Sequence, residues 1–421
     1  RLTRRFAWKY VDYAWSSPAE RSQAMAIGRY IPENNLPVGI EVVGDRLFIS
    51  VPRWDKGVPS TLNWIPLGPE SPETPLLQPY PDWETNEEGN CAGITTTYRI
   101  KADQCGRLWV LDSGTVGIGN TTEQVCPYAI HAFDLKTNRH ILRYQYKDTD
   151  INKDTFIANI IVDIGKDCAD TFVYASDELG YGLIVYSLKD HDSWRFQHGF
   201  FRPDPLLGDF NLAGINFQWD AEGIFGMALQ PGHSPDRLLF FHPLASHKEF
   251  AVPVRILRDK NKVGSSYQDF LVVGERPELS HSTAEMMTDD GLMVYSLVDR
   301  NSIGCWDSRK PYSKENHGVL ARDDVELVFP SDVIVRDGLL WAISDRMPIH
   351  LESQLDFNDI NFRVFFAPLK DLVAGTVCDG RYLYQAEQDL TPPIRPQLRS
   401  HLYHRLPISP VPALPQLPEF S

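Results

Sequence analysis

The chain is short of positive charge and has no long apolar run, and each absence removes a class of function. Lys and Arg number 41 against 56 Asp and Glu, leaving a formal net charge of −15. A surface that acidic repels phosphate backbones and anionic lipid faces, so neither nucleic acid nor a membrane is expected as a partner. No apolar stretch approaches the roughly 18 residues that cross a bilayer. The richest, Gly338-Leu339-Leu340-Trp341-Ala342-Ile343, is the length of a strand. Catalytic signatures are missing too: HExxH, GxSxG, the Walker loop and GxGxxG do not occur. Cysteine is scarce, with six in 421 residues, and none stands in a CxxC or zinc-like spacing. The remainder is 43% hydrophobic and 23% charged, which excludes wholesale disorder. A soluble globular chain is expected.

What is present is a repeat. An Asp/Gly turn followed by a short apolar strand recurs six times. The strands are Leu47-Phe48-Ile49, Leu108-Trp109-Val110, Phe172-Val173-Tyr174, Leu238-Leu239-Phe240, Leu292-Met293-Val294 and Leu339-Leu340-Trp341. Their anchors are 61, 64, 66, 54 and 47 residues apart. A further strand precedes each turn, and a more polar hairpin follows, clearest over 129–144. Four strands repeated six times predict an all-β fold, a six-bladed β-propeller. Spacings beyond the roughly 40–50 residues of compact blades predict long loops. Inner strands are expected to begin near Gly39, Thr97, Asn159, Phe225, Thr283 and Asp332.

The flanks read differently. Ser17, Pro18 and Gly28 mark the cap, first turn and stop of a short N-terminal helix. Residues 1–36 are therefore read as an extension, 37–380 as the propeller and 381–421 as a Pro-rich tail. The chain opens on Arg1 without Met or an apolar leader core, which reads as a processed form. Six cysteines allow 15 complete pairings, and Asn120-Thr121-Thr122 is a glycosylation sequon. Asp148-x-Asp150-x-Asn152-x-Asp154 imitates a calcium loop but has Lys153 and Asn159 where Gly and Glu are needed. Calcium-dependent propeller hydrolases place Glu, Asn and Asp at inner-strand ends, near Glu41, Asn159 and Asp332 here. No cofactor and no metal is expected.

A family resemblance rests on particular stretches. They include Ile31-Pro32-Glu33-Asn34-Asn35-Leu36-Pro37-Val38-Gly39-Ile40-Glu41, Cys105-Gly106-Arg107-Leu108-Trp109-Val110-Leu111-Asp112, Asp177-Glu178-Leu179-Gly180-Tyr181-Gly182, Gly304-Cys305-Trp306 and Ser344-Asp345-Arg346-Met347. Lying in family order through the chain, they resemble the insect Yellow / major royal jelly protein family, and its cuticle-pigmentation branch most. The resemblance implies a secreted, disulfide-bonded and glycosylated six-bladed propeller, extracellular in cuticle, that serves black melanin patterning. It implies a small catechol or indole amine, or a melanin precursor, as ligand, with the cuticle matrix as a further partner. Dopachrome conversion is the alternative activity. That activity needs a base and an acid, for which His281, Glu285 and Asp332 have the right chemistry; no catalytic set emerges.

Site expectations follow. Cys105 and Cys168 occupy equivalent turns of adjacent units, Cys91 and Cys126 flank the loops of unit two, and Cys305 and Cys378 belong to units five and six. These three pairs are expected, with glycan on Asn120. Amine-binding relatives use the channel mouth near the last blade, where this chain has Ser344, Asp345, Asn358, Asn361 and Phe362. Asp345 or Asn361 would accept an ammonium, and Phe362 or Tyr98 would wall an aromatic ring. The competing reading has Asn361 closing a turn and Phe362 filling the blade core.

Overall fold

A computed structural model describes residues 1–380, so the tail expected over 381–421 lies outside the described residues. Six four-stranded antiparallel sheets form the blades of a propeller. Blades 1 to 5 run outward in chain order from inner strands Gly39–Val43, Ile100–Ala102, Ile157–Ile164, Ile224–Leu229 and Glu285–Met287. Blade 6 differs. Its inner three strands are Pro330–Arg336, Leu339–Ser344 and Phe362–Pro368, and its outermost is Thr3–Trp8 from the N-terminus. Part of the expected extension is thus built into the ring, and the ring closes by pairing the two ends of the fold. Phe6 and Trp8 are fully buried there, and the Trp8 indole N–H donates to the Pro75 carbonyl at 2.9 Å. The helix follows as Pro18–Ala26, with Ser17 accepting the Glu20 N–H at its cap.

The recurring Asp/Gly pairs are hairpin turns. Asp337 and Gly338 both have positive φ, +50° and +73°. That is the backbone a two-residue turn needs to match strand twist, and Gly adopts it without strain. Between blades, apolar side chains alternate into the six interfaces. Blades 1 and 2 share Phe48, Val110 and Phe133, and blades 3 and 4 share Tyr174, Leu239 and Phe241.

The three disulfides are Cys91–Cys126, Cys105–Cys168 and Cys305–Cys378, the pairs that the repeat positions suggest. The last closes a loop of 73 residues and ties the chain beyond blade 6 to blade 5. No described helix is long and apolar enough to cross a membrane.

Candidate functional site

The inner strands surround a channel, and Arg99 on blade 2 divides it. Its guanidinium donates to the carbonyls of Val38 on the blade 1 side, Thr283 on the blade 5 side and Ser331 on blade 6. Asp332 stands 3.8 Å away. A buried guanidinium so engaged spans the channel and leaves a chamber on either side. Arg99 lines the upper one and Lys101 the lower.

The upper chamber has a volume of about 570 Å³ and mostly apolar walls. It gathers Phe225 from the inner strand of blade 4 and Trp54, Tyr98, Phe156, Trp219 and Phe329 from connecting segments outside the strands. Trp54 donates its indole N–H to the Tyr98 hydroxyl at 3.1 Å, and the Tyr98 ring lies 5.1 Å from Phe156. Burial raises the Tyr98 phenol to about 12, so it stays a neutral hydroxyl. Three insertions stand around this end: the helix Met347–Glu352, the ribbon of Thr115–Val116 with Glu123–Gln124, and a hairpin of Asp209–Leu212 with Ile215–Gln218. The ribbon's turn brings Asn120, exposed, to the rim.

Two carboxyl groups face each other across this chamber wall. Glu178 is buried and Glu222 half-buried, and both line the cavity. Burial, then the charge of Glu222, pushes the Glu178 carboxyl well above the usual range. The Glu178 carboxyl is thereby biased toward its protonated form, beside Glu222 and among aromatic rings. Neither residue stood out in the sequence. Glu178 follows a strand-end aspartate whose own carboxylate is taken by Arg195 at 2.6 Å, and Glu222 belongs to the long connection into blade 4.

Of the residues the sequence proposed for the ligand, Tyr98 alone lines this chamber. Asn361 is fully buried and closes a turn, its amide donating to the carbonyls of Lys9, Asp356 and Asp359. Phe362 packs in the core between blades 6 and 1. Ser344 donates to the Glu326 carbonyl, and Asn358 is an exposed loop residue bonded to Asp356. Asp345 lies beneath the chamber, not in its wall. One oxygen accepts the Met347 N–H, the other has no hydrogen-bond partner, and burial pushes the carboxyl up to about 8. None of these five lines the upper chamber: Phe362 fills the core, and Ser344 and Asn361 are taken up by backbone carbonyls. Short polar residues beside strand ends satisfy backbone groups first.

The candidates for proton transfer and for calcium are also engaged elsewhere. Glu41, Asn159 and Asp332 each accept the N–H of the following residue, and Glu41 also takes both Nε and Nη2 of Arg336. His281 bonds Asp299 at 2.6 Å through Nδ1 and the Leu207 carbonyl through Nε2. Glu285 sits in a closed cluster with His242 and Glu249, where the Arg276 guanidinium contacts Glu249 at 2.7 Å. The donor atoms of His242, Glu249 and Glu285 lie within 4.8 Å of one another, as do those of His247, His281 and Asp299. In the first group burial alone would depress His242, but Glu285 and Glu249 outweigh it and raise the imidazole to about 9. A protonated imidazole and a guanidinium already supply the positive charge that two carboxylates require.

The family profile described as "Major royal jelly protein" matches residues 95–378. The chain is 54% identical over 385 residues to "Protein yellow" of Drosophila pseudoobscura pseudoobscura, covering 90% of this chain and 69% of that one. Against "Protein yellow" of Drosophila melanogaster the identity is again 54%, covering 90% and 71%. Among solved structures, a virginiamycin B lyase of Staphylococcus aureus aligns with 79% of this chain and 95% of its own at 12% identity. Its TM-score is 0.42.

Proposed function

The chain belongs to the major royal jelly protein family, and from that membership we propose that it is a secreted pigmentation protein that captures a catechol or indole amine. The observation that carries this is the upper chamber itself. A ring needs flat aromatic faces and an ammonium needs a buried acceptor, and six aromatic side chains line the same chamber as Glu178 and Glu222. About 570 Å³ is ample for one such molecule. Similarity to proteins named "Protein yellow" agrees with a role in cuticle melanin. Three disulfides and a sequon exposed on Asn120 support an extracellular setting, with cuticle matrix as a further partner. Calorimetry with dopamine tests the reading: Glu222→Gln is expected to weaken binding at least tenfold, about 1.4 kcal/mol. Unchanged affinity would reject it.

A second reading has its own support. Glu178, biased by burial toward its protonated form, stands beside Glu222 and places two groups suited to acid and base roles in one mostly apolar chamber. Rearranging dopachrome needs those two roles and no cofactor. Loss of dopachrome colour, accelerated by the wild type and not by Glu178→Gln, would favour catalysis over capture.

A further inference from the structure

Arg99 immediately precedes the inner strand Ile100–Ala102 and Lys101 lies on it, and the two line the upper and lower chambers respectively. Arg99 is spent on three carbonyls. Lys101 is buried and makes no hydrogen bond or close ion pair among the described residues. The two carboxylates that act on it are already occupied. Glu41 takes the N–H groups of Val42 and Ala102 and the guanidinium of Arg336, and Asp332 takes the N–H groups of Ile40 and Val333. With Arg99 and Arg336 these two form a balanced set, so an ammonium on Lys101 would add an unpaired charge to a largely buried group of residues. Burial accordingly holds the amine below the ordinary lysine range, with Asp332 and Glu41 offsetting part of the effect.

The amine faces the lower chamber, about 500 Å³, whose rim residues Gln104, His233 and Asp289 are exposed to solvent. Met286, Met287 and Ile334 supply apolar wall for a short hydrocarbon tail. We propose that the lower chamber is a covalent docking site for a small aldehyde or ketone, held on Lys101 as a Schiff base. The Nζ lone pair attacks the carbonyl carbon, and protons pass from nitrogen to oxygen. The C–O bond then breaks, releasing one water as C=N forms. No oxidant or reductant is consumed.

The test uses the intact, disulfide-bonded protein, limiting propionaldehyde and cyanoborohydride at pH 7, followed by peptide mass mapping. Lys101 is expected to gain the propyl increment at least about tenfold faster than exposed Lys147 and Lys260, because a larger fraction of it is unprotonated. Its labelling rate should also level off at a lower pH than theirs. Labelling no faster than the exposed lysines, or none, would overturn the proposal, as would a rate that still climbs to the ordinary lysine range.

Discussion

The two chambers of the channel are built on the same six inner strands, yet they invite opposite chemistry. The upper one is walled by loops, some carrying a helix, a ribbon or a hairpin, and it collects aromatic rings and carboxyl groups. Strand ends and tight turns make the lower, which collects Lys101, His233, Arg237 and Arg336. Position along the chain does not by itself produce the contrast, since Arg99 and Lys101 are two residues apart and line different chambers. What differs is whether long connections reach over the opening. The ring supplies a scaffold with two mouths, and loop length decides which becomes an aromatic, anionic pocket.

The division depends on Arg99, so the largest expected effect comes from removing it. Arg99→Met leaves Asp332 and three carbonyls without their cation, and should cost about 3–5 kcal/mol in urea denaturation. A stable Met variant would mean that the channel is not partitioned in this way. Next is Asp345, fully buried and outside the upper chamber's lining. Burial raises the folded pKa of Asp345 from 3.8 to about 8, so its protonated form favours the fold. That contribution is whole below about pH 4 and is lost as pH rises through 8. Asp345→Asn should flatten the fall in melting temperature over that window, and an unaltered slope would place the cause elsewhere. Smaller again, Asn361→Ala should cost about 2 kcal/mol by leaving carbonyls of the closing turn unpaired. Its folded fraction should bind dopamine as the wild type does, because Asn361 is not in the upper wall.

The uneven legibility of the sequence has the same origin as the two chambers. Turn punctuation such as Asp337-Gly338 and the apolar strands behind it are local signals, and each of the six units carries one. Thr3–Trp8 carries none, and its partner Phe362–Pro368 lies at the far end of the fold, so ring closure was invisible. Aromatic walls such as Trp54, Phe156 and Trp219 converge from different blades, and only folding brings them together. Tyr98 was found, whereas Glu178 and Glu222 were not, since each alone is an ordinary surface-type residue. Asn361 and Phe362 show the converse: a polar residue beside an aromatic at a strand start looks like a binding pair and serves a turn and a core.

The most direct test is dopamine calorimetry on three proteins: the wild type, Glu222→Gln and Lys101→Met. The upper-chamber account predicts measurable binding to the wild type, a loss of at least tenfold (about 1.4 kcal/mol) in Glu222→Gln, and no change in Lys101→Met. No binding to the wild type, or a loss that follows Lys101 instead of Glu222, would contradict it.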